Sequence, residues 1–158
     1  MTFLDGSGRA AQGYAGARTA SPAAAGGAYG LFTPGAGLAE CAFREAWLFG
    51  LRQDDAVRTN LALVNAGADG GPLTLRYEVF DASTGRKAGT SRDVVLAPGA
   101  WLQVDRVLSA FTLREGYLRV TRVSGVERFL AYAVVNDGPA PGGAGTHDGS
   151  FVPMEAVE

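Results

Sequence analysis

His147 is the sole histidine of the chain, and the glycine-rich stretch around it is where catalytic chemistry would first be sought. Asp148 follows it directly, Ser150 lies just beyond, and Asn136 and Asp137 stand at the other end of the same loop. A Ser–His–Asp relay can be drawn from these residue types. No nucleophile elbow or oxyanion-hole glycine pattern accompanies them, however. Polar loop residues that fix a turn are the plainer reading, and no enzymatic activity is expected. Asn136, Asp137 and Asp148 also offer hard oxygen ligands, which makes calcium the one cofactor to consider. The Asp-x-Asp-x-Asp-Gly spacing of a dedicated calcium loop is missing, and Asx-turn hydrogen bonds account for the same residues without a metal.

Trp47 and Trp101 are the other candidates, because indole rings provide stacking platforms for sugars. Both sit within alternating apolar stretches, where a large aromatic ordinarily belongs to the core, so core packing is expected and glycan stacking is the alternative. Asp54 and Asp55 read as caps of a turn before the "RTN" strand. Arg58, Thr59 and Asn60 read as structural, the Asn side chain serving backbone donors at a strand end.

The bulk composition narrows the classes further. Hydrophobic residues make up 47% of the 158 residues and charged residues 19%, with a net charge of −2. One domain with a real core fits these values, with or without an appendage. The weakly acidic balance gives no electrostatic reason to expect nucleic acid. No apolar run approaches the ~20 residues that span a bilayer, so membrane insertion is not expected. The single cysteine, Cys41, excludes an intrachain disulfide. "LAEC" at Leu38–Cys41 has Glu40 where a lipoprotein box needs a small residue, and no hydrophobic segment precedes it, so a buried or half-buried thiol is expected. "MTFLDGSGR" lacks signal-peptide character, so an export signal would lie upstream or have been removed.

The elements that must position these residues are short strands. In "PLTLRYEVFD", Pro72–Asp81, residues Leu73, Leu75, Tyr77 and Val79 share one face while Thr74, Arg76 and Glu78 share the other. Period two of this kind marks a half-buried strand. "DASTG" then supplies a turn. Similar runs occur at Ala46–Leu51, Arg58–Asn65, "DVVLA", Ala100–Val107, Gly116–Val123 and Arg128–Asn136, with Gly, Pro, Asn or Asp in most gaps. Only "VDRVLSAFTLREG" suggests helix, a turn or two from Asp105. Many short strands separated by turn signals indicate an all-β fold, here a two-sheet antiparallel sandwich of the immunoglobulin-like kind. Residues 1–40 and 137–149 are rich in Gly, Ala and Pro and are expected to be loops.

Two phrases in the chain echo each other. Gly30, Phe32 and Pro34 of "YGLFTP" match Gly149, Phe151 and Pro153 of "DGSFVP", each 119 positions on. Upstream, Tyr14 matches Tyr132 at 118, a single loop insertion reconciling the two offsets. Each end therefore carries a strand, a Gly/Pro/Ala loop and a short closing strand. A period this long fits a whole domain and not a solenoid repeat. Residues 41–158 thus read as a complete β-sandwich domain, and residues 1–40 as an extension resembling the tail of a preceding copy.

The motifs "RTNLALVN" (Arg58–Asn65), Pro98-Gly99 before an apolar strand, and "DGSFVP" (Asp148–Pro153) also carry a resemblance. Together they are similar to a β-sandwich repeat found in tandem in secreted and cell-surface proteins of environmental bacteria. The resemblance covers residues 43–154, and residues 13–35 as the end of a preceding copy. It implies an extracellular, non-catalytic structural or interaction role and transfers no catalytic residue. The surplus closing strand, with Tyr29, Leu31, Phe32 and Pro34, then needs a sheet border to lie against. That border is expected on its own sandwich or on another copy or neighbouring repeat. Burying Phe32 there would contribute ~2–3 kcal/mol. A carbohydrate-binding accessory module, with glycans as partners, is the alternative.

Overall fold

The computed structural model describes residues 3–22, 28–137 and 148–157. Eleven strands are numbered in chain order: β1 (Gly16–Pro22), β2 (Ala28–Pro34), β3 (Glu45–Arg52), β4 (Val57–Asn65), β5 (Leu73–Asp81), β6 (Lys87–Leu96), β7 (Trp101–Val104), β8 (Glu115–Ser124), β9 (Phe129–Asp137), β10 (Gly149–Pro153) and β11 (Glu155–Val157). A four-stranded sheet in the order β10-β9-β4-β7 packs on a five-stranded sheet in the order β11-β3-β8-β5-β6. The expected all-β two-sheet sandwich is the fold found. All its strand pairs are antiparallel.

Alternation decides which side chains fill the gap between the sheets. In β5 the parity of Leu73, Leu75, Tyr77 and Val79 is buried, as the sequence pattern requires. Facing positions on β3, β4 and β8, among them Leu48, Leu61, Leu63 and Leu118, are wholly buried, as is Phe129 at the start of β9. Each such side chain contributes roughly 1.5–3 kcal/mol relative to an exposed one. Small Ala131 and Ala133 follow Phe129 on the same face of β9, so the largest buried ring has alanines beside it along the strand. Among the described residues none before Cys41 belongs to this core, and Cys41 itself is buried.

The chain closes the sandwich by changing sheets. β10 pairs with β9, and after Met154 the same extended segment pairs with β3 of the other sheet as β11. The Met154 sulfur accepts the N–H of Ala131 at the crossing point (3.2 Å). The segment after Asp105 forms turns and one 3₁₀ turn, Ser109–Phe111, and sends Val107 and Leu108 into the core. Among the described residues no helix is long and apolar enough to cross a membrane.

Residues 1–40 depart from the expectation of loops. β1 and β2 form a regular antiparallel hairpin from Gly16↔Pro34 to Pro22↔Ala28. A hairpin needs only local pairing, so it tolerates a composition too poor in apolar residues to build a core.

Candidate interaction surface

The hairpin reproduces, in three dimensions, the repeat read along the chain. β2 and β10 carry the matched Gly-x-Phe-x-Pro phrase, and each is the second strand of an antiparallel hairpin. Tyr14 stacks on Phe32, with ring centroids 6.4 Å apart and planes at 21°. Their sequence equivalents Tyr132 and Phe151 make the same contact at 5.1 Å and 31°. The registers differ by a slip of two: Pro34 faces Gly16, whereas Pro153 faces Tyr132. A slip of two leaves every side chain on its original face, so the correspondence of faces survives.

Glycines allow the close approaches. A Cβ on Gly30 would collide with the Thr19 carbonyl oxygen and the Ala20 α-carbon of β1, so only glycine fits that pairing. A Cβ on Gly149 would press on Leu31 Cδ1 and Val134 Cγ1, each at 3.1 Å; the bare backbone there makes a seat for Leu31. Alongside it, the Gly30 N–H donates to Asp148 Oδ1 at 2.9 Å. Thus a bond to Asp148 and an apolar contact at Gly149 seat β2 beside β10, and among the described residues no backbone ladder joins the two strands. Between the hairpin and the outer face of the four-stranded sheet lies a cleft of about 280 Å³, with Tyr29, Leu31, Arg58, Asn60, Gln103 and Asn136 in its walls.

Two expectations about the closing strand are corrected here. The border it needs is supplied by β1, its own hairpin partner, and not by a sandwich edge. Leu31, not Phe32, faces the sandwich; Phe32 stays 48% exposed on the opposite face against Tyr14. Adjacent residues of a strand point to opposite faces, so only one of the pair can be seated. Tyr29 shares the Leu31 face, and Pro34 ends the ladder opposite Gly16.

Asn136, Asp137 and Asp148 do meet at the end of the β9–β10 hairpin where the two strands connect. Asn136 is paired with Gly149, and the Asp137 N–H donates to the Asp148 carbonyl at 3.0 Å. The Asp148 carboxylate is engaged by Gly30, and the Asn136 amide turns back to the Val134 carbonyl at 3.5 Å. Among the described residues no three His, Cys, Asp or Glu side chains gather as a metal site. His147 lies outside the described residues.

Core packing was expected for both tryptophans, and both stand on outer faces instead. In β3 the buried parity is Ala46 and Leu48, which turns Trp47 outward with Phe49. There Trp47, Phe49, Phe80 and Tyr117 form one aromatic cluster across β3, β8 and β5, with centroid separations of 5.1 to 6.1 Å. Trp47 and Phe49 are parallel within 5°, and Phe80 and Tyr117 within 6°, the geometry of offset stacking. The rings therefore spend their faces on one another. Trp101, 53% exposed, opens β7 on the opposite sheet and donates its indole N–H to the Tyr132 hydroxyl at 3.0 Å. The two indoles cannot form one shared platform.

Asp54, Thr59 and Asn60 serve the backbone, as their structural reading requires. Asp54 Oδ1 accepts the N–H groups of Ala56 and Val57, each at 2.8 Å. Asn60 Oδ1 accepts the Arg106 N–H at 3.1 Å, where Arg106 has φ 47°. Buried Thr59 joins β4 to the end of β3, its hydroxyl accepting the Arg52 N–H at 3.1 Å. Sequence reasoning missed the outward aromatic cluster, although Trp47 and Phe49 at spacing two, with buried Leu48 between them, carried the signal. It also missed Asp148 as the partner of Gly30, a contact between segments far apart in the chain. Comparison of the chain with protein families, with curated proteins and with solved structures finds no match.

Proposed function

We propose that the protein is a non-catalytic structural or interaction module of an extracellular or cell-surface assembly, serving as one unit of a tandem or self-associating array. One observation carries this reading. The N-terminal hairpin duplicates the closing hairpin of the sandwich, yet among the described residues β1 has β2 as its only strand neighbour. In the closing hairpin the corresponding strand, β9, is paired on both sides. A duplicated element with one side unmet is what a unit needs in order to join another unit.

The test is the concentration dependence of size, measured by sedimentation for the whole chain and for a chain lacking residues 1–36. None of the described residues of that segment belongs to the core, so the shortened chain is expected to keep its sandwich. Association that grows with concentration in the whole chain and vanishes in the shortened one is the expected result. A whole chain that stays monomeric throughout overturns the reading. Carbohydrate binding has weaker support, because the aromatic rings on the five-stranded sheet stack on each other instead of presenting their faces.

A further inference from the structure

Among the described residues the four edges of the sandwich sheets are guarded, and the edge of β1 is not. β7 has four residues and β11 three. β10 has five, ends in Pro153, and has β2 resting beside it. β6 carries Lys87, Arg92 and Asp93, and its ladder to β5 shifts register between Tyr77 and Val79. Short, charged or irregular edges resist the addition of a further strand. β1 has fewer of these devices, a single charge at Arg18 and a proline only at its end. Its seven residues are all exposed, pair with β2 without interruption, and are small apart from Arg18 and the terminal Pro22.

The phase of the ladder says which backbone groups are on offer. The Gly35 N–H donates to the Ala15 carbonyl at 2.7 Å, so odd-numbered residues of β1 turn their backbone groups toward β2. Antiparallel alternation then turns those of Arg18 and Ala20 outward. Gly30, opposite Ala20, agrees: its N–H points away from β1, to Asp148.

We propose that the open edge of β1 pairs antiparallel with β1 of a second copy about a two-fold axis, fusing two hairpins into one sheet ordered β2-β1-β1-β2. This rests on the reading of the chain as a self-associating module. Self-pairing selects its own register. Arg18 opposite Arg18 would set like charges face to face, which is destabilising. Ala20 opposite Ala20 would leave that single pair complete, its neighbours setting Pro22, which has no N–H, against Arg18, whereas Thr19 opposite Thr19 moves Pro22 to the margin against Gly16. With Thr19 opposite Thr19, each Arg18 meets an Ala20 of the second copy, and each of those pairs exchanges both backbone hydrogen bonds. The two threonines then form the close non-hydrogen-bonded pair, where Thr–Thr contacts are favourable. The duplicate hairpin supports a strand at this place: β9 is paired there with β4 from Val57↔Asp137 to Asn65↔Phe129.

Two variants test the edge in the full-length chain. Ala20→Pro removes an outward N–H while leaving the β1–β2 ladder its own bonds, and prolines are tolerated at such edge positions. It is expected to weaken self-association roughly tenfold or more with the thermal transition of the sandwich unchanged. Thr19→Cys is expected to form a disulfide-linked dimer on mild oxidation, because opposed residues of a non-hydrogen-bonded pair lie within disulfide reach. Ala17→Cys, which would face Ser21, is expected to cross-link far more slowly; Cys41 is buried and stays silent. If Ala20→Pro associates as the parent does, or Thr19→Cys cross-links no faster than Ala17→Cys, the edge assignment falls while the assembly reading stands. A parent chain that is monomeric at every concentration removes both. Should Ala20→Pro fail to fold, the cysteine pair alone decides.

Discussion

Asn65 shows how much one polar side chain can hold when it has no access to water. It ends β4 wholly buried, donates to the carbonyls of Gly71 and Leu96 at 3.2 Å each, and accepts the Gly67 N–H at 3.1 Å. The side chain thus ties the β4–β5 connection to the end of β6, joining the two sheets where loops would otherwise splay. Asn65→Leu would leave buried backbone groups without partners, each costing about 1–3 kcal/mol. A stability loss of roughly 3 kcal/mol in urea unfolding is the expected outcome, and a loss below about 1 kcal/mol would mean the freed groups find other partners. The sequence made Thr59 legible as structural because a polar residue near a strand end serves backbone close by, here that of Arg52, while Asn60 reads the same way but serves the distant Arg106. Asn65 belongs to the same "RTNLALVN" phrase, but one of its partners lies beyond two strands, and no local rule reaches it. Trp47 reads as a core residue for a different reason. Both parities of "AWLFGL" are apolar, so period two shows that the residues alternate without saying which set faces the gap.

At the level of elements, strands with a clear apolar parity were visible in the sequence and those without it were not. β4, β5, β8 and β9 pack the core and announce themselves; β11 is exposed throughout, and its pairing with β3 has no local signature. β6 extends back to Lys87 from the apolar "DVVLA" because its first half pairs along β5 as a polar edge. The hairpin is the instructive case, since composition argued for a loop and the repeat argued for a strand, and the repeat was the better guide. Its integrity depends on Gly30, where the β1 backbone leaves no room for a side chain. Gly30→Ala should therefore open the hairpin at an overpacking cost of roughly 1–3 kcal/mol, and the sandwich should stay folded. Amide hydrogen exchange is the measurement: faster exchange across residues 16–34 with unchanged protection in β4 is expected. Equal loss of protection in both would mean that the hairpin is part of the sandwich's cooperative unit.

The charges of the whole molecule set how its stability responds to pH, and Glu78 has the largest part. It lies 7% exposed on the outer face of the five-stranded sheet. Its carboxylate accepts Arg119 Nε and Ser91 Oγ at 2.9 Å each, and Lys87 Nζ at 3.2 Å, linking β5, β6 and β8. Burial by itself would raise this carboxyl, but the hydrogen bonds from Arg119, Ser91 and Lys87 outweigh it and hold the pKa down to about 2, from 4.5. Hydrogen bonds likewise lower Asp93 (from the Arg76 side chain), Asp81 (from Ser83) and Asp54 (from the Ala56 N–H). A carboxyl with a depressed folded pKa stabilises the fold above its unfolded value, and that contribution is lost as pH falls through the folded one. Cys41 and Tyr77 are shifted upward by burial, so their contribution is complete below their ordinary values of 9.0 and 10.0 and fades as pH rises beyond them. Stability should therefore be flat from about pH 5 to 8.5, fall on the acid side toward pH 2, and fall again in alkali. Glu78→Gln keeps the shape, removes the titration and strips Arg119 of its closest anion. It is expected to lower stability by about 2 kcal/mol at pH 7, a value discounted for the solvent reaching Arg119 and Lys87. The parent and variant curves should converge near pH 2, where the parent carboxylate is protonated as well. Urea unfolding midpoints measured from pH 2 to 8 decide the matter: curves that run parallel over that range would mean that the acid limb arises elsewhere, and curves that coincide would mean that the Glu78–Arg119–Lys87 cluster contributes no net stability.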